Sequence, residues 1–225
     1  MLSSIYRQKI NNIINKMFPW LKNFVNKRRF VQPSPFKDFI GRFYNKNPDV
    51  NWAPYIPDTN TPINYLEIGV ADGGNVIQVE RSFGKHPDSR LYCVDPWQDY
   101  EEYPEYKGQQ ERGWIAFNRN VSKLSNPEKF VIRRGFSDDI VPTFPDNFFD
   151  IAFVDGNHET EFVYRDGLMS LQKTKKGGYI IFDDYFFQWP QTVAGIDKFL
   201  EEKKDEIKII YNGKTSIAQI IIQKL

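Results

Sequence analysis

From Ile63 onward, short apolar runs alternate with stretches of mixed apolar and polar residues. The runs are "INYLEIG", "RLYCVD", "KFVIRRG", "FFDIAFVDG" and "GYIIFDD". Between or after them lie "NVIQVERSFG", "SDDIVPTF", "ETEFVYRDGLMSLQKT" and "TVAGIDKFLEEKK", whose apolar residues recur at helical spacing. Near-continuous apolar runs are the mark of strands covered on both faces, and their alternation with helical stretches predicts a parallel sheet in an α/β fold. The C-terminus reads differently. "EIKIIY" and "KTSIAQIIIQ" flank Asn212-Gly213, a pair that tolerates the positive φ of a tight hairpin turn. The pattern predicts a mainly parallel sheet of seven strands over residues 63–225, ending in an antiparallel hairpin, with helices on both faces.

The first sixty residues carry other patterns. Ile5, Ile10, Ile13, Ile14, Met17, Leu21, Phe24 and Val25 fall three and four apart, on one helical face, with Pro19 as a kink or break. Residues 31–62 hold six prolines and read as a linker, with one short helix after Ser34-Pro35. The expected organisation is a helical appendage over 1–30, this linker, and the α/β domain.

Charge sharpens the picture of the appendage. Residues 1–29 contain seven Lys and Arg and no acid, which leaves 23 basic against 29 acidic residues in the rest, a net of −6. An acidic body argues against nucleic acid as a partner, since that needs a basic face. A basic amphipathic helix suits either an anionic membrane surface or docking on protein, its own body or a second copy, and docking is the commoner use. Cys93 is the only cysteine, so no intramolecular disulfide forms. No apolar run has transmembrane length and the N-terminus lacks a signal peptide's apolar core, so a cytoplasmic protein is expected, peripheral to a membrane if the helix binds one.

The chemistry gathers at strand ends. "YLEIGVADGGN" follows the first strand with Gly69, Gly73 and Gly74, which let backbone turn sharply and approach a ligand. It is not the dinucleotide fingerprint, because position 71 is alanine. The second strand ends in Asp95, an acid able to accept from two ribose hydroxyls. The fourth ends in Asp155, with His158 three residues on, and the fifth ends in two adjacent carboxylates, Asp183 and Asp184. In open α/β sheets ligands bind beyond the carboxyl ends of the strands. Like charges so placed are costly unless a cation or solvent receives them.

Together these motifs resemble class I S-adenosylmethionine-dependent methyltransferases, from about Ile63 to the C-terminus, and the resemblance implies their Rossmann-like α/β fold with a seven-stranded sheet. The resemblance matches Glu67, Gly69 and Gly73 to the first motif and Asp95 to the ribose-binding acid, and it implies that Ser137 or Asp138 lies near the adenine. The carboxylates are closest to the metal-dependent sugar O-methyltransferases of the macrocin and mycinamicin type, whose fourth strand ends in Asp-Gly-x-His and whose fifth ends in an acidic pair. It implies Asp155, Asp183 and Asp184 as Mg²⁺ ligands, His158 as general base and a sugar or glycan as acceptor. Catechol-type enzymes share the layout, but with a lysine base and an Asp-Asn pair. Trp97 and Tyr185, next to site residues, are the substrate candidates. A catechol-like or other small-molecule acceptor, a non-catalytic nucleotide- or glycan-binding module and a nicotinamide-dependent oxidoreductase are the rival readings.

Overall fold

The computed structural model describes residues 38–41, 48–99, 107–213 and 218–225. The amphipathic N-terminal helix and the short helix after Ser34-Pro35 lie outside these. Residues from Asp38 to Leu225 form one compact unit. Its seven strands are β1 (Asn64–Ile68), β2 (Arg90–Asp95), β3 (Phe130–Arg134), β4 (Phe149–Val154), β5 (Thr174–Phe182), β6 (Ile207–Asn212) and β7 (Ile220–Lys224). They form one sheet in the order β3-β2-β1-β4-β5-β7-β6. The first five strands pair in parallel, β7 runs antiparallel to both β5 and β6, and β6 therefore points the same way as the first five. The predicted architecture is the observed one.

Around the sheet lie α1 (Pro48–Asn51), α2 (Val76–Arg81), α3 (Gln110–Val121), α4 (Ser137–Ile140), α5 (Thr160–Lys173) and α6 (Pro190–Glu202). Helix α3 was not among the predicted elements. It carries few buried residues, among them Ala116, Phe117, Asn120 and Val121, so its apolar stripe is short. No helix among the described residues is long and apolar enough to cross a membrane.

The two faces of β1 do different work, because successive side chains alternate. Leu66 and Ile68 enter the main core with Ala152 and Val154 of β4, Val163 of α5 and Phe199 of α6. Tyr65 and Glu67 point the other way, into a polar network described below. The proline-rich stretch is partly anchored to the sheet: the buried Trp52 donates its indole N–H to Gln219 Oε1 at 2.8 Å and packs 5.5 Å from the Phe153 ring.

The chain leaves β1 towards β2 and β3 on one side, and returns to place β4 and β5 on the other. The chain thus turns opposite ways after β1 and after β4, which makes this the sheet's switch point, the place where ligands of open α/β sheets bind.

Candidate active site

The glycine turn comes first. Gly69, Ala71 and Gly73 have φ of +83°, +50° and +85°, so three of five consecutive residues are left-handed. Gly69 has no alternative, because a Cβ there would lie 1.9 Å from the Asp155 carbonyl oxygen. That near-collision shows how closely the loops after β1 and β4 approach each other. Asp95 braces the turn from its inner side. Its Oδ2 accepts the Val70 and Ala71 N–H groups, each at 2.9 Å, and its Oδ1 accepts the Trp97 N–H at 2.6 Å. Burial raises the Asp95 pKa, and the three backbone N–H groups offset only part of that. A carboxylate offers about four acceptor sites, so capacity for a further donor remains. Behind the turn, Glu67 Oε2 accepts the Tyr65 hydroxyl at 2.6 Å and the Asn75 amide at 2.8 Å. Burial, then the Glu67 charge, pushes the Tyr65 phenol well up.

The second half of the site answers why two carboxylates end β5. Asp184 has φ +55°, a left-handed conformation uncommon outside glycine, and the two neighbours make different partners. Asp183 Oδ1 accepts from Gln219 Nε2 at 3.1 Å, while Asp184 Oδ2 sits 2.9 Å from His158 Nε2. Asp155, His158 and Asp184 offer ligand atoms that all lie within 4.8 Å of one another. The structure thus groups His158, rather than Asp183, with the other two acids. Two carboxylates with one imidazole suit a divalent cation that takes oxygen and nitrogen ligands. Burial alone would lower the His158 pKa, but the bond to Asp184 and the charges of Asp155, Asp184 and Asp183 outweigh it, and the net shift is upward. Trp189 stacks on the imidazole, with centroids 4.5 Å apart and planes 29° apart.

The remaining candidates are held by protein. Ser137 opens α4 at its first helical position, its cap being Phe136, and its hydroxyl bonds the Asp166 carboxyl. Asp138 pairs with Arg165 at 2.9 Å. Asp166 is buried beneath Gly156, where an added Cβ would lie 3.1 Å from its Oδ2, and desolvation raises its pKa to about 7. Trp97 is buried, donates its indole N–H to Ala71 O at 2.7 Å and stacks on Phe117. Tyr185 is likewise buried, with its hydroxyl donating to Asp197 at 2.6 Å. Neither substrate candidate presents an open aromatic face. Trp189 and Asp166 were not singled out in the sequence; a tryptophan five residues after the acid pair was the available signal for the first.

Residues 66–185, just over half of the chain, match the family described as Methyltransferase domain. The chain belongs to that family. A methyltransferase-domain assignment agrees with the solved structures it resembles. These include TomG of Streptomyces achromogenes, an O-methyltransferase of tomaymycin synthesis in complex with SAM, at 17% identity over 74% of each chain with a TM-score of 0.55. The O-methyltransferase NovP aligns at 18% identity over 76% of each chain with a TM-score of 0.57. A Streptococcus mutans protein in complex with SAH aligns at 11% identity, over 73% of this methyltransferase-domain chain and 90% of that one, with a TM-score of 0.54. At such identities the likeness is one of fold. Among curated proteins, an uncharacterised protein of Acanthamoeba polyphaga mimivirus is 28% identical over 145 residues, which is 62% of this chain and 60% of that one.

Proposed function

We propose that this methyltransferase-domain protein transfers a methyl group from S-adenosylmethionine to a hydroxyl of a sugar or glycan, assisted by a divalent cation such as Mg²⁺. One observation carries the reading. The glycine turn braced by Asp95 and the Asp155–His158–Asp184 cluster sit on the same sheet edge, with Gly69 against the Asp155 backbone. A donor seated on the turn would have its reacting end beside the cluster.

Glu67, Gly69, Gly73 and Asp95 form the cofactor side, with Ser137 and Asp138 at its far end by family resemblance. Asp155 and Asp184 would hold the cation, which supplies positive charge for the oxygen that becomes nucleophilic. His158 takes the proton of the acceptor hydroxyl. Its Nε2 faces Asp184, which stabilises the imidazolium, so Nδ1 is the atom that accepts. Trp189 holds the ring plane and keeps water from that face. The acceptor oxygen attacks the sulfonium methyl carbon, the carbon–sulfur bond breaks, and its electron pair returns to sulfur to leave S-adenosylhomocysteine. The work of the chain is mainly proximity and in-line alignment. Asp183 supports the cluster through its nearby charge and its bond to Gln219.

The sugar acceptor rests on the Asp155-Gly156-Asn157-His158 and Asp183-Asp184 motifs. A catechol-like acceptor is the second reading, favoured by the metal layout but not by the histidine base. We further propose a cytoplasmic location, with the basic N-terminal helix serving self-association or peripheral membrane contact. A screen of methyl transfer to free sugars, sugar nucleotides and catechols, with and without Mg²⁺, tests the assignment. Turnover on catechols alone would move it to the second reading.

A further inference from the structure

Residues 38–41 lie against the glycine turn, and one buried side chain joins the two. Asn120, in the last turn of α3, is fully buried. Its Oδ1 accepts the Ile40 N–H at 2.8 Å, and its Nδ2 donates to Ile40 O at 2.6 Å and to Asp72 O at 3.0 Å. Burying an amide is costly unless its bonds are made. Here they are made to two segments 80 and 48 residues away in the chain, not to the helix that carries the amide. Neighbouring contacts run the same way. Asp72 Oδ1 accepts the Gly74 N–H at 3.1 Å. A Cβ on Gly41, at φ +122°, would lie 2.1 Å from Asp72 Oδ2. One turn on, Lys123 donates to Asp38 O and lies 5.3 Å from the centre of the Phe39 ring.

A turn with left-handed residues at 69, 71 and 73 keeps its shape only where its surroundings over-determine it. Asp95 holds the N–H groups of residues 70 and 71 from one side. Asn120 holds the carbonyl of residue 72 from the other.

We propose that Asn120 is a positioning residue for the cofactor site, locking the strap of residues 38–41 onto the glycine turn and so holding that turn in the shape that receives the cofactor. The inference rests on the cofactor reading given above. It makes donor affinity depend on a segment that carries no cofactor motif and precedes the first strand.

Calorimetry of S-adenosylhomocysteine binding to the full-length chain tests it, alongside thermal unfolding of each variant. Asn120→Asp keeps the acceptor and removes both donated bonds. Gly41→Ala leaves Asn120 intact and forces the strap away from Asp72. Each should weaken binding by about tenfold or more, since a buried carbonyl or amide loses its partner. Mn²⁺ binding at the Asp155 cluster should stay within about twofold, which a general loss of structure would not permit. Should Asn120→Asp fail to fold, Gly41→Ala decides the matter. Folded variants that bind as tightly as wild type would overturn the inference alone. Absence of binding by wild type itself would overturn the cofactor reading beneath it.

Discussion

Asp166→Asn isolates a buried acid whose charge the fold resists. Asp166 lies under the loop that carries Asp155 and His158, bonded to Ser137, and desolvation lifts its pKa from 3.8 to about 7. The Asp138 charge adds to the lift, while Ser137 and Arg165 act against it. A folded-state pKa above the unfolded one means that the native protein binds the extra proton between those values. The stability this provides is complete below the unfolded pKa and is lost as pH rises through about 7. The full span of about three units corresponds to about 4 kcal/mol, and the part lost between about pH 5 and about pH 8 is about 3 kcal/mol. Asparagine keeps the size and a bond to Ser137 but cannot ionise. Urea unfolding of wild type and variant at those two pH values cancels the titration of every other group. The variant should gain about 3 kcal/mol on wild type between the lower and the higher pH. A difference that stays constant would refute the reasoning, because Asp166 would then titrate outside this range.

Other outcomes follow from the same geometry. Asp155→Asn and Asp184→Asn should each weaken Mn²⁺ binding by about tenfold or more, read by paramagnetic relaxation, because each removes one of the two carboxylates that would hold the cation. His158→Ala should leave S-adenosylhomocysteine affinity unchanged in calorimetry while lowering kcat by about 10²–10⁴-fold. Gly69→Ala should abolish cofactor binding and cost stability, with about 1–2 kcal/mol from the left-handed φ alone and more from a Cβ 1.9 Å from Asp155 O.

The sheet was readable because its signals are local and strong. β1, β4 and the second half of β5 are almost wholly buried and apolar, and the antiparallel pair β6–β7 stands where the hairpin was expected, although Asn212 ends β6 paired with Ile220 instead of forming a tight turn with Gly213. The acids at the ends of β2, β4 and β5 were readable for the same reason, since a strand's end fixes where its next residue emerges. What lay hidden depends on contacts between segments far apart in sequence. Helix α3 has a short apolar stripe and a buried asparagine, so periodicity marks it weakly. The separation of Asp183 from Asp184 depends on one left-handed φ and on Gln219, which comes 36 residues later. Trp97 looked like a stacking face and is buried on Phe117, with its indole N–H bonded to Ala71 O, 26 residues earlier in the chain. The anchoring of Trp52 inside a proline-rich stretch is of the same kind: the chain around it reads as a loop, but its indole finds a partner on the hairpin side of the sheet.

On the proposed function, the Asp155–His158–Asp184 cluster activates a hydroxyl for methylation by a donor held on the neighbouring glycine turn. The most direct measurement is the rate of S-adenosylhomocysteine formation from S-adenosylmethionine with a panel of free sugars and sugar nucleotides, in Mg²⁺ and again in excess chelator. Turnover on a hydroxylated acceptor is expected in Mg²⁺, with loss of it in chelator and recovery when Mg²⁺ is returned. Equal rates in chelator, or methyl groups found on nitrogen rather than oxygen, would contradict that function.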